Sequence, residues 1–120
     1  MDATSFELNV SMPTDTRYVA TLRDLAVHAA RYAGCRGADA DRFGAAVEAI
    51  VLGCLAHAAA DAIPVPIVVR RGDGPVEVLI ACECRFDPVP VKDAHISVAW
   101  VRERGRQMCC VARAMPLDLS

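Results

Sequence analysis

Hydrophobic positions along the chain change period twice, and the changes divide it into elements. In residues 5–12 (SFELNVSM), Phe6, Leu8 and Val10 alternate with polar neighbours, the period of two that suits a half-buried strand. Pro13 ends it. Thr14 or Asp15 can then cap a helix by accepting hydrogen bonds from its free amides. Through that helix Tyr18, Leu22, Leu25, Ala29 and Tyr32 recur at steps of three and four, one apolar stripe, and Gly34 and Gly37 mark its end. A second helix is predicted over residues 39–60 (DADRFGAAVEAIVLGCLAHAAA), with Asp39 or Asp41 as its N-cap. Phe43, Val47, Ile50 and Cys54 share one face with His57 close to it, Leu52 lies opposite and Leu55 between. Apolar residues on both sides predict a sandwiched helix. Glu48 interrupts the run on the flank nearer Leu52 and Leu55.

After Asp61 the period becomes extended. Pro64 and Pro66 stop the helix, and Ile67, Val68 and Val69 begin a β-rich run. The turn signal Arg71, Gly72, Asp73, Gly74 predicts an antiparallel hairpin of strands 65–70 and 76–86. Residues 87–93, with Pro88 and Pro90, form an irregular connection. Segments 95–104 and 106–115 then flank Gly105. The alternation of Ile96, Val98 and Trp100 favours a second hairpin, with a helix over 94–104 as the alternative. The order strand, helix, helix, then three or four strands predicts an α+β two-layer sandwich, two main helices on one face of a mixed, mostly antiparallel sheet. At 120 residues the chain suits one domain, 1–120.

Hydrophobic residues make up 54% of the chain and aromatic ones only 5%, so small side chains must pack helices and sheet closely. The net charge of −2, mixed in sign along the chain, argues against nucleic acid or an anionic membrane as a partner. No apolar run reaches the roughly 20 residues needed to span a bilayer, and MDATSFELNV lacks the pattern of a signal peptide. A cytoplasmic location is expected, with the six cysteines as reduced thiols. Cys82 with Cys84, and Cys109 with Cys110, raise a thiol or zinc module as an option. Alternate positions of a strand suit core thiols better, the spacing is not that of paired CxxC knuckles, and no histidine sits beside a pair. Among the other candidates, His28 and His95 read as surface residues, Trp100 as core, and Arg102, Arg104 and Arg106 around Glu103 as a solvated hairpin tip.

Three segments carry a resemblance. RYVATLRDLAVHAARYAG, FGAAVEAIVLGCLAHA and VEVLIACECRF are similar to the first helix, the asparagine-box helix and the strand leading to the glycine box of the anti-sigma-factor serine kinases, in the GHKL ATPase superfamily. The resemblance covers roughly Phe6 to Phe86 and implies a truncated Bergerat-like fold. In the family a Glu-Ala pair supplies the general base, and an Asn one turn later holds the magnesium that bridges the ATP phosphates. Glu48-Ala49 matches, but the Asn position is Leu52, which has no oxygen for a hard cation. The family's Asp-x-Gly-x-Gly reads Cys82-Glu83-Cys84-Arg85-Phe86 here, and only DPVPVKDA stands where a glycine-rich lid belongs.

The resemblance therefore implies a degenerate member without ATP or magnesium, its nucleotide site filled by Leu52, Cys82 and Cys84, and with Glu48 a vestigial catalytic residue. Arg23 matches a partner-contacting arginine of the family's first helix, and Arg17 and Asp24 could border the same patch. The expected function is a non-catalytic regulator that binds a sigma factor, an antagonist protein or a second copy of itself as a homodimer, with no cofactor. The alternatives are an active ATP-dependent serine kinase with Glu48 as base, and the thiol or zinc module.

Overall fold

In the computed structural model, which describes residues 5–56, 64–72, 74–82, 86–88, 91 and 93–114, the first strand, β1, is Phe6–Met12. Asp15 then accepts a hydrogen bond from the Arg17 amide and starts one 3-10 turn, Thr16–Tyr18, that runs into α1, Val19–Tyr32. Gly34 ends α1 with φ 109°. Its N–H donates to the Arg31 carbonyl and the Cys35 N–H to the Ala30 carbonyl, the Schellman pattern, which satisfies carbonyls that a helix end leaves open. The second helix, α2, is Ala38–Ala56. Asp39 and Asp41 thus lie in its first turn and not at its cap, where their charge still suits the positive end of the helix dipole.

Four strands follow: β2 (Val65–Arg71), β3 (Val76–Ala81), β4 (Ile96–Glu103) and β5 (Arg106–Arg113). Their order in the sheet is β1-β2-β3-β5-β4, and every neighbouring pair is antiparallel. The fold is α+β, two helices against one face of a five-stranded antiparallel sheet. Residues 96–103 are strand, so the helix alternative for 94–104 falls. Arg104 (φ 53°) and Gly105 (φ 74°) make the two-residue turn, whose positive φ angles match the twist of the strands it joins. The strand expected over 76–86 stops at Ala81. His57, the helix end at Ala60, Asp73, residues 83–85 with Cys84, Pro90 and Met115 lie outside the described residues.

The main core lies between helices and sheet. Phe43, Val47 and Ile50 of α2 meet Ile67, Val69 and Val78 of the sheet, all essentially without solvent contact. The buried line of α1 is Val19, Leu22, Ala26 and Ala30, a turn's edge away from the predicted stripe, so Tyr18 and Tyr32 remain exposed. Small residues let the two helices approach. A Cβ on Gly44 would lie 2.4 Å from Val27 Cγ2 and 3.2 Å from the Arg23 carbonyl oxygen. Leu52 is 44% exposed, which corrects the sandwiched-helix expectation. The sheet covers one side of α2 and α1 one flank, and Leu52 projects from what is left.

The sheet's other face is not bare. β1 and β4 are opposite edges, yet Arg104 at the β4–β5 turn donates to Asn9 Oδ1 (2.9 Å) and Glu7 Oε2 (3.0 Å) of β1. Arg70 of β2 donates two hydrogen bonds of 2.6 Å to the Glu103 carboxylate. These contacts require the hairpin tip to bend back across the outer face. A second, smaller cluster, Val68, Leu79, Met108 and Cys110, is buried there.

Candidate functional site

Glu48 sits on the α1 flank of α2, one turn beyond Gly44, where the helices come closest. Its carboxylate lies 3.6 Å from the Arg23 guanidinium, with the side chains 32% and 50% exposed respectively. The pair is therefore a solvated bridge on the crest of the helix layer, worth little to stability. Leu52, one turn further on, projects into solvent beside that flank, against the expectation that it would plug a nucleotide site.

Another side chain occupies the space beside α2. The Phe86 ring rests on Gly53, where a Cβ would come within 2.6 Å of it, and meets Trp100 of β4 edge-on at 5.4 Å between centroids. Trp100 is half-buried in this contact. Sequence reasoning missed the pairing because Gly53 and Phe86 are distant in the chain and Gly53 reads as an ordinary helix interruption.

Of the residues expected to border a partner surface, Arg17 is engaged locally. Its Nε donates to Asp15 (2.8 Å), and its guanidinium lies 5.9 Å from the centre of the Tyr18 ring. The mutual hydrogen bond holds the Asp15 carboxyl below its ordinary range and pushes the guanidinium up. Asp24 and His28 are exposed. A period of 3.6 puts them on the outer face of α1, between the flank of Arg23 and the line of Tyr18, Leu25 and Tyr32. Tyr32 packs edge-on against Phe6 of β1 at 5.6 Å, so that line runs beside the edge strand. Arg17 thus stands in the 3-10 turn, Asp24 on the outer face of α1 and Arg23 on its α2 flank, and of the three only Arg23 touches Glu48.

Among the described residues the cysteines do not assemble as a four-thiol site. Cys109 faces the helices and Cys110 the outer cluster, because successive residues of a strand point to opposite faces. Cys82 joins Cys54 and Cys109 in the main core. Burial pushes the Cys109 thiol up to about 11, and burial with the nearby Glu77 carboxylate pushes Cys110 up to about 12. Such thiols stay protonated and weakly nucleophilic. Among the described residues no group of three or more His, Cys, Asp or Glu side chains is arranged to hold a metal ion.

The strongest charged constellation was not anticipated. Arg70, less than a third exposed, is shared by Glu103 and by Glu77 (3.0 Å). The Arg70 hydrogen bonds hold the Glu103 carboxyl below its ordinary range. Half of this was legible, since Arg70 and Glu77 flank the predicted turn and fall opposite each other in the register. Glu103, 33 residues away, carries no such signal. The tip expected to be solvated is tied down through Glu103 and Arg104, while Arg102 and Arg106 are exposed as expected.

No described helix is long and apolar enough to cross a membrane. No family model matches the chain, and no curated protein is significantly similar to it.

Proposed function

We propose that this chain is a non-catalytic regulatory domain that binds a protein partner through α1, in the manner of the partner-switching anti-sigma factors it resembles, with a sigma factor or its antagonist as partner. One observation carries the reading. Of the four large apolar side chains exposed among the described residues, Leu8 belongs to β1, Tyr18 to the 3-10 turn that leads into α1, and Tyr32 to α1, at 45%, 42% and 60% exposure. The fourth, Leu52, stands beside Glu48. An aromatic line along one flank of a helix and an arginine on the other form the kind of surface on which protein contacts concentrate, since both residue types bury area at low entropic cost. The kinase alternative is less well supported, because Glu48 spends its charge on Arg23 at an open surface and Phe86 occupies the space beside Gly53.

Two measurements test this. Calorimetry with ATP and magnesium should give no micromolar binding, and no label should pass from ATP to a co-expressed antagonist. Binding or transfer would restore the kinase reading. Arg23→Ala and Tyr32→Ala should each weaken the complex with a sigma factor or antagonist encoded beside this chain, without lowering the melting temperature. A complex indifferent to both substitutions would remove α1 as the contact.

A further inference from the structure

Three sulfurs enter the main core from three different elements: Cys54 in the last turn of α2, Cys82 just past the end of β3, and Cys109 of β5. They are 3%, 7% and 0% exposed, so Cys82 is the one nearest solvent. The Cys82 N–H donates to the Gln107 carbonyl, and the Cys82 carbonyl accepts from Gln107 Nε2. This sets Cys82 opposite Gln107 and makes Cys109, two residues along β5 on the same face, a diagonal neighbour. Diagonal residues of adjacent strands stand about 7 Å apart, whereas a disulfide needs about 4 Å between Cβ atoms. Cys54 comes down on Cys82 from the helix layer instead, and its thiol donates a hydrogen bond to the Cys82 sulfur.

We propose that Cys54 and Cys82 are a redox pair, which hydrogen peroxide converts to a disulfide that staples the end of α2 to the chain leaving β3. Cys82, as thiolate, attacks one oxygen of the peroxide. The O–O bond breaks, the hydroxide leaves as water with the thiol's proton, and Cys82 becomes a sulfenic acid. The Cys54 sulfur then attacks the Cys82 sulfur, the S–O bond breaks, and the second hydroxide leaves as water with the Cys54 proton. Two thiols are oxidised and one peroxide is reduced to two waters. Burial keeps Cys54 protonated, so it is spared direct attack on peroxide and acts as the resolving thiol, on the one sulfur it touches. The bond closes a loop over residues 54–82. It also fixes the start of the segment whose next anchor, Phe86, rests on Gly53 beside Cys54.

Peptide mapping tests the pair on the wild-type chain. The folded protein is exposed to hydrogen peroxide, its remaining thiols are blocked with iodoacetamide, and it is digested without reductant. Mass spectrometry with fragmentation should find Cys54 joined to Cys82, and the link should be lost in dithiothreitol. Cys84→Ser should form the same link, because Cys84 takes no part in it. The oxidised wild type should unfold at a higher urea midpoint than the reduced, since a closed loop restricts the unfolded chain, and dithiothreitol should return the midpoint to its starting value. Cys82 found joined to Cys84, to Cys109 or to a second copy of the chain would overturn the proposal. So would Cys82 left as a thiol, or carried on to sulfinic acid while Cys54 is recovered as a thiol.

Discussion

At Gly44 a methyl group would meet the Val27 side chain and the Arg23 carbonyl oxygen on the neighbouring helix, and a backbone atom of a packed helix cannot step aside. At Gly53, about two and a half turns further along α2, the obstructing atoms are the far end of the Phe86 ring, which stands in an irregular connection. Alanine favours a helix over glycine by about 1 kcal/mol, so the two substitutions should differ in cost. Gly44→Ala forces α1 and α2 apart, at about 1–3 kcal/mol for overpacking, and should lower the urea midpoint with the slope unchanged. Gly53→Ala loses the edge-on contact of Phe86 with Trp100, worth about 1 kcal/mol, but gains helix propensity. Its midpoint should stay near wild type while Trp100 emission shifts as the ring moves away. A Gly44→Ala protein as stable as wild type would mean the helices cross less tightly than the geometry requires.

The seam between β5 and α2 depends on Arg113. Only 4% exposed on the helix face of the sheet, its guanidinium donates to the Ala114 carbonyl at 2.7 Å and lies 3.4 Å from Asp39 in the first turn of α2. Its Nε is buried without a partner among the described residues. A buried charge that is incompletely satisfied costs more than its bridge returns. Arg113→Met should therefore be neutral or stabilising by up to about 3 kcal/mol, whereas Asp39→Ala, which leaves the cation less compensated, should cost about 1–3 kcal/mol. Urea denaturation of the two variants decides it, and a larger loss in Arg113→Met would show the cation to be a net stabiliser. Arginine at residue 113 also shows where sequence legibility ends. The alternation of Ile96, Val98 and Trp100, and the turns at Gly72 and Gly105, declared the hairpins, because strand period and turn chemistry are local. That β5 inserts between β3 and β4, so that Arg113 meets Asp39, is decided by which edges pair after a crossover, and no local pattern records it. Leu52 failed for a related reason. Two-sided apolarity states that a helix could be covered twice, but here the second layer has only α1 to supply, and α1 lies along the Gly44 flank. The site shared these limits: Glu48 and Arg23 were legible as residues, but the ion pair that joins them and the Phe86 ring on Gly53 were not.

For the whole molecule, the dependence of stability on pH follows from where ionisable groups were buried. Glu103 is held below the ordinary carboxylate value of 4.5 by its hydrogen bonds to Arg70. Its contribution is present above 4.5 and is lost as pH falls through its lowered value, so acid below that point loosens the hairpin tip. The alkaline side is steeper. Thiols at Cys35, Cys54, Cys109 and Cys110 are all raised above 9.0, first of all by burial, with Cys109 at about 11 and Cys110 at about 12. The folded state keeps these protons and the unfolded chain gives them up from about pH 9. Stability is therefore full below that point and falls as pH rises towards the folded values. Each strongly raised thiol costs about 1.4 kcal/mol per pH unit across its window, so Cys54, Cys109 and Cys110 together cost about 4 kcal/mol by pH 10. That is a large fraction of the 5–15 kcal/mol typical of a domain. Urea midpoints measured under reducing conditions should hold steady from pH 6 to 8 and drop sharply between 9 and 10.5, and Cys109→Ala should flatten the drop by about a third, one thiol of three. Cys109 faces the main core and Cys110 the outer cluster, and Cys110→Ala should remove a similar share of the drop.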